Sequence, residues 1–167
     1  QRVANIFAET TPLEFENVAG EYTLEITSEA SWSAETSHPW IQIAPTSGTA
    51  GTSSLKISVS PNTSTADRNG FVYIYIGTSK IVEIPVSQQG IFMNFESSEL
   101  VVQSTNGSEK VLLRSNTAWE IDSYPKWVDV SPKNGEGDQE ISISFQDNPN
   151  VTDRQGFIKV YQAGVDL

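Results

Sequence analysis

The 167-residue sequence contains no cysteine. That excludes disulfides, thiol nucleophiles and thiolate metal sites. Histidine is nearly absent too: His38 stands alone, no nucleophile elbow accompanies it, and its slot in a second, similar stretch is held by Tyr124. It reads as a surface-loop residue, and no catalytic set is assigned. Basic residues are scarce, with 10 Lys and Arg against 21 Asp and Glu and a formal net charge of −11. The acidity is spread over the chain: nine acids against four bases in residues 1–90, twelve against six in 91–167. Duplex nucleic acid and anionic membrane surfaces are therefore repelled, with no basic patch to offset the charge. No apolar run is long enough to span a membrane, and no window carries a helical apolar stripe. The acids show no pair placed for glycoside chemistry. The acidic stretches "NPNVTDR" and "GEGDQE" do not fit a calcium loop, so no metal or cofactor is assigned. The chain opens on Gln1-Arg2 without an initiator Met or an apolar signal segment. It is expected to be a processed form from which a signal peptide has been removed.

What the chain does have is apolar material, 37% hydrophobic with four Trp, five Tyr and seven Phe, and an internal repeat. "SWSAETSHPWIQIAPTSG" (31–48) aligns with "AWEIDSYPKWVDVSPKNG" (118–135). Trp32 and Trp40 are eight apart, as are Trp119 and Trp127; Pro45 and Pro132, then Gly48 and Gly135, follow at matched distances. "NTSTADRNGF" (62–71) aligns with "NPNVTDRQGF" (148–157), and Gly20 with Gly107. The offset is 87 at the tryptophans and 86 at Asp-Arg, so one loop residue separates the copies in length. A repeat of this size reads as two tandem domains, 1–90 and 91–167, joined near "SQQGIFMN".

Both copies alternate apolar and polar residues with period two, as in "YTLEIT", "SLKISVS", "FVYIYIG" and "IVEIPVS", then "KVLLRS", "EISISFQ" and "FIKVYQ". Gly, Asn, Ser, Thr and Pro clusters separate them. The expected fold is all-β, two tandem immunoglobulin-like β-sandwich domains. Pro85 predicts that the last strand of copy one lies at a sheet edge. Copy two has nothing answering "KIVEIPVSQ" and is expected to lack its last strand: either the natural chain continues, or that strand is supplied or dispensed with.

These motifs together resemble BACON domains, the Bacteroidetes-associated carbohydrate-binding, often N-terminal family. The residues that carry the resemblance are Trp32, Trp40, Ile41, Pro45, Gly48, Asn62, Arg68, Gly70 and the "VSQQG" of 86–90. In copy two they are Trp119, Trp127, Val128, Pro132, Gly135, Asn148, Arg154 and Gly156, without the Gln-Gly ending. The resemblance implies a small all-β sandwich in an extracytoplasmic protein, often a lipoprotein, of Bacteroidetes type. It further implies carbohydrate or mucin binding in some members and a spacer role in others. It carries no set of binding residues over to this sequence.

Phase sorts the candidate residues. Trp32 runs with Ala34 and Trp119 with Ile121, so both are expected in the core. Trp40 and Trp127 run with Gln42 and Asp129 on the other face, where they read either as sugar-stacking rings or as caps on the end of the sandwich. Phe71, Tyr73 and Tyr75 share the outer face of their strand, because Lys159 replaces Tyr73 in copy two and lysine prefers solvent. Tyr73 and Tyr75, about 7 Å apart, read as a sugar platform or as a packing surface. Asp67-Arg68 and Asp153-Arg154 read as loop clamps, each Arg gathering carbonyls or stacking on Trp40 or Trp127. The expected protein is a non-catalytic surface module that binds glycan or mucin. The alternative is a spacer or protein-adhesion module, in contact with other domains of the same polypeptide.

Overall fold

A computed structural model describes residues 4–163, which form sixteen β-strands and no helix. The chain divides into two compact units, Gln1–Gly90 and Ile91–Leu167. Unit 1 contains β1 (Ile6–Ala8), β2 (Leu13–Phe15), β3 (Gly20–Ser28), β4 (Trp32–Thr36), β5 (Ile41–Ala44), β6 (Ser47–Gly48), β7 (Gly51–Val59), β8 (Arg68–Ile76) and β9 (Ser79–Gln88). They build two sheets, β1-β3-β7-β5 and β2-β9-β8-β4-β6, antiparallel except where β2 runs parallel to β9. Period-two alternation turns one face of each sheet inward. Leu24 and Ile26 of β3 and Leu55, Ile57 and Val59 of β7 meet Val72 and Ile74 of β8 and Val82, Ile84 and Val86 of β9, all buried. The result is an immunoglobulin-like sandwich whose core comes from both sheets. Each such side chain contributes about 1.5–3 kcal/mol by burial. An exposed pair such as Lys56–Glu21, 2.7 Å apart, contributes about 0–1 kcal/mol, so burial decides the fold.

Unit 2 repeats the plan with β10 (Met93–Phe95), β11 (Gly107–Ser115), β12 (Ala118–Ser123), β13 (Val128–Ser131), β14 (Asn134–Glu136), β15 (Gln139–Phe145) and β16 (Lys159–Gln162). Its sheets are β10-β11-β15-β13 and β14-β12-β16, around Leu113, Trp119, Ile121, Val130 and Ile141. The prolines of both repeats, Pro45 and Pro132, follow cis peptide bonds. Among the described residues no helix is long and apolar enough to cross a membrane.

Three expectations need correction. The strand bearing Pro85 is not an edge strand: β9 lies between β2 and β8. The proline is tolerated because β2 pairs only with Val86–Gln88, starting one residue after it. Arg68 and Gly70 do not lie in the loop before β8; they are its first residues, paired with Gln88 and Val86. In unit 2 the corresponding strand begins at Lys159 rather than Phe157. Arg68–Phe71 are held as strand by β9, and among the described residues 154–157 have no such neighbour. The expected absence of a last strand in copy two falls partly on residues 164–167, outside the described residues; within those described, no strand follows β16.

Candidate functional site

β8 runs through the middle of the five-stranded sheet, with β4 and β9 on its two sides. Val72 and Ile74 point into the core, so Phe71, Tyr73 and Tyr75 form a half-buried row on the outer face. The register flanks this row with polar groups: Tyr73 lies between Glu35 of β4 and Glu83 of β9, and Tyr75 between Ser33 and Lys80. The Tyr75 hydroxyl donates to Glu35 at 2.5 Å. That bond, with some burial, pushes the Tyr75 hydroxyl up to about 12. The Phe71 and Tyr73 rings are nearly parallel, 5.9 Å apart at 14°, while Tyr73 and Tyr75 meet edge-on at 6.5 Å. Lys80 Nζ sits 4.7 Å from the Tyr73 ring centre and 2.5 Å from the Glu83 carboxylate, whose hydrogen bond holds the lysine above its usual pKa. The face therefore offers flat apolar rings with two carboxylate acceptors and an ammonium donor at their margins. Unit 2 keeps only Lys159 and Tyr161 on the equivalent strand, with the Tyr161 hydroxyl raised by a hydrogen bond to Glu120.

The tryptophans behave as two pairs. Trp32 and Trp119 are buried, at 3% and 0% exposure. Each faces a glycine across a strand pair, Trp32 with Gly48 and Trp119 with Gly135. A Cβ on Gly48 would stand 2.5 Å from the Trp32 indole nitrogen, and one on Gly135 would stand 2.6 Å from the Trp119 ring. The Trp-to-Gly spacing of the repeat is thus a flat ring laid on bare backbone. Trp119 Nε1 donates to the Gly137 carbonyl at 3.0 Å, whereas Trp32 Nε1 is buried without a partner. Trp40 and Trp127 lie in the turns just ahead of β5 and β13, half-buried against the rim of each core. Arg68 stacks on Trp40 with its guanidinium carbon 4.4 Å from the ring centre, and Arg154 stacks on Trp127 at 4.2 Å. His38 is exposed, 2.7 Å from the Ser37 hydroxyl and with its ring 6.2 Å from Trp40.

Arg68 does more than cover a ring. Its Nε and Nη2 donate to Gln88 Oε1 at 2.9 and 2.7 Å, and Nη2 also donates to the Ser60 carbonyl at 2.6 Å. Burial pulls the Arg68 pKa down, but arginine stays charged. Gln88 is 1% exposed, and its amide nitrogen donates to the carbonyls of Glu16 and Val18, each at 2.9 Å. Asp67 accepts the Gly90 N–H at 2.7 Å, which ties the residue before β8 to the second residue after β9. Asn62 donates to the carbonyls of Ala66 and Gln89, both at 2.9 Å. Asn62, Asp67 and Arg68 thus all converge on Gln88–Gly90. In unit 2, Arg154 donates to the Gln146 carbonyl, Asn148 donates to Thr152, and Asp153 is exposed without a partner among the described residues.

The model of the BACON family, described as "Putative binding domain, N-terminal", matches residues 30–89 and 117–166. The chain belongs to the BACON family. No curated protein matches it. Among solved structures, a Bacteroides ovatus GH5 xyloglucanase in complex with a XXXG heptasaccharide aligns with 60% of this chain at 21% identity and a TM-score of 0.48. The BACON chain spans about a fifth (21%) of that enzyme's length. The D0-D1 domain of Intimin aligns with 98% of this chain and 93% of its own, at 10% identity and a TM-score of 0.38. Domains 5-6 of the S-layer protein SbsC align with 96% and 91%, at 11% identity and a TM-score of 0.37.

Of the residues singled out in the sequence, each BACON unit brings one Trp and one Arg together, Trp40 with Arg68 and Trp127 with Arg154. Tyr73 and Tyr75 lie side by side on a different face, on the middle of β8. Sequence reasoning missed Gln88, Glu35, Glu83 and Lys80. A signal for Gln88 existed: it continues the inward parity of Val82, Ile84 and Val86, and a polar side chain in that phase must be satisfied inside. The partners of Tyr73 and Tyr75 are set by cross-strand register, for which no local signal exists.

Proposed function

We propose that this chain is a non-catalytic, extracytoplasmic surface module whose first BACON unit binds glycan on the outer face of the β4-β8-β9 sheet. The observation that carries the reading is the row Phe71, Tyr73 and Tyr75 bordered by Glu35, Glu83 and Lys80. A pyranose presents an apolar C–H face that stacks on an aromatic ring, and hydroxyls at its edge that bond to carboxylates and ammonium groups. Trp40 and Trp127 pack against the cores and carry an arginine, so they cap the sandwich ends, and ligand stacking falls to Tyr73 and Tyr75. Tyr75 is held in place by Glu35. Lys80 is exposed beside the Tyr73 ring, where its ammonium is placed to donate to a sugar hydroxyl. Membership of a family described as a binding domain, and a net charge of −11 that rejects nucleic acid, support the same class.

A glycan array probed with the full chain tests this. Tyr73→Ala is expected to weaken any hit at least about tenfold, the loss that accompanies roughly 60 Å² of apolar contact at about 25 cal/mol/Å². Absence of binding to any plant, microbial or mucin glycan overturns the carbohydrate reading and leaves a spacer or adhesion module.

A further inference from the structure

The aromatic row of unit 1 is flanked by more negative charge than positive. Strand parity and register place the charged side chains of that sheet's outer face. Glu35 of β4 and Glu83 of β9 stand directly opposite Tyr73, one on each side. Lys80 stands opposite Tyr75. Glu14 of β2 stands opposite Ser87 on the same face and is exposed. Arg68 belongs to β8 too, but its parity turns it away, over Trp40 and onto Gln88. Among the described residues the face therefore carries three carboxylates and one ammonium group.

The ammonium is already engaged. Lys80 Nζ lies 2.5 Å from the Glu83 carboxylate, so those two charges cancel locally. Glu35 accepts from a neutral donor, the Tyr75 hydroxyl, at 2.5 Å. That bond orients the Glu35 carboxylate and leaves its charge in place. Side chains opposed on neighbouring strands have Cβ atoms about 4.5–5.5 Å apart. A sugar stacked on Tyr73 therefore holds its ring substituents between two carboxylates, inside the roughly 8 Å over which charge acts at physiological salt. A hydroxyl held there finds acceptors. A carboxylate or sulfate held there meets like charge.

We infer that the Tyr73–Tyr75 face selects uncharged glycans and turns away sialylated, sulfated and uronate-bearing ones, with Glu35 setting the discrimination. The inference rests on the glycan reading of this face and narrows it to one substrate class. Like charges about 4 Å apart beside a protein surface repel enough to weaken binding roughly tenfold, even allowing for screening.

The test screens the full chain on an array that carries neutral oligosaccharides beside their sialylated, sulfated and uronate counterparts. Hits are expected among the neutral members. The tightest neutral hit is then titrated alongside the same oligosaccharide oxidised to carboxylate at its primary hydroxyls. The oxidised form is expected to bind about tenfold more weakly at ~0.01 M salt, and within about twofold at ~1 M, where charge is screened beyond about 3 Å. Glu35→Gln keeps an acceptor for Tyr75 and removes the charge. It is expected to reduce the tenfold ratio to about threefold at low salt. A ratio cancels any loss of affinity common to both sugars. Glu25→Gln removes one negative charge from the outer face of the other sheet and is expected to leave the ratio unchanged. A ratio that ignores salt would assign the exclusion to bulk. A ratio that ignores Glu35→Gln, or falls equally with Glu25→Gln, would assign it to the charge of the whole protein. Either result overturns the inference. Anionic glycans that bind as tightly as neutral ones overturn it too, and leave the glycan reading standing. No binding to any member of the array overturns both.

Discussion

Replacing Gln88 with alanine should be among the most damaging single changes to unit 1, although glutamine is usually a surface residue. The side chain is 1% exposed and holds four hydrogen bonds: two from Arg68 and two to the carbonyls of Glu16 and Val18. Bonds to a charged group contribute about 1.5–3 kcal/mol and neutral ones about 0.5–1.5 kcal/mol. Arg68 keeps its bond to Ser60 and its place on Trp40, so its pair of bonds to Gln88 counts as one. Adding the two carbonyl bonds gives a cost of about 3 kcal/mol, or roughly a 100-fold rise in the open population of the unit. Native-state hydrogen exchange reads this directly: protection of the β8 core amides at Val72 and Ile74 should fall about 100-fold. The amides of Ile141 and Ile143 in unit 2 serve as an internal reference. Gln89→Ala, one residue along and exposed, should leave both sets unchanged. A fall of less than about fivefold for Gln88→Ala, equivalent to about 1 kcal/mol, would refute the claim that Gln88 joins β8, β9 and the β2–β3 connection.

Gly48→Ala should lower the melting temperature, because its Cβ would stand 2.5 Å from the buried Trp32 ring. Overpacking of this kind costs about 1–3 kcal/mol; an unchanged melting temperature, matching that of the exposed control Ser47→Ala, would show that the ring yields freely. In ultraviolet titration, one tyrosine should ionise at about 12, and Tyr75→Phe should remove that component. The folded pKa is raised above the unfolded value, so the stability contributed by the Tyr75–Glu35 bond is fully present below about 10 and is lost as pH rises to about 12. Persistence of the late component in Tyr75→Phe would reassign it to another tyrosine.

The fold was legible because its causes are local. Alternation marked Val72, Ile74 and the outward tyrosines, and phase with Ala34 and Ile121 placed Trp32 and Trp119 inside. What escaped was set by partners distant in sequence. Pro85 suggested an edge because a missing N–H is a local property, whereas the parallel approach of β2, 70 residues upstream of Val86–Gln88 and more, is not. Asp67 read as part of a clamp on its own loop; its partner is Gly90, 23 residues on. The candidate site shows the same division. The aromatic row could be read from one strand, while its carboxylates and ammonium group come from β4 and β9 and depend on register.

The parallel pairing of β2 with β9 has a mechanical consequence. Chain enters unit 1 ahead of Leu13 and leaves it after Gln88, so tension applied through the two ends pulls these neighbours in opposite directions along their length. Their ladder, the Gln89 N–H bond to Phe15 and the Gln88 bonds to Glu16 and Val18 then carry the load together, in shear, and do not unzip one at a time. A sandwich closed in this way resists being drawn out by its ends far better than its thermodynamic stability alone would suggest.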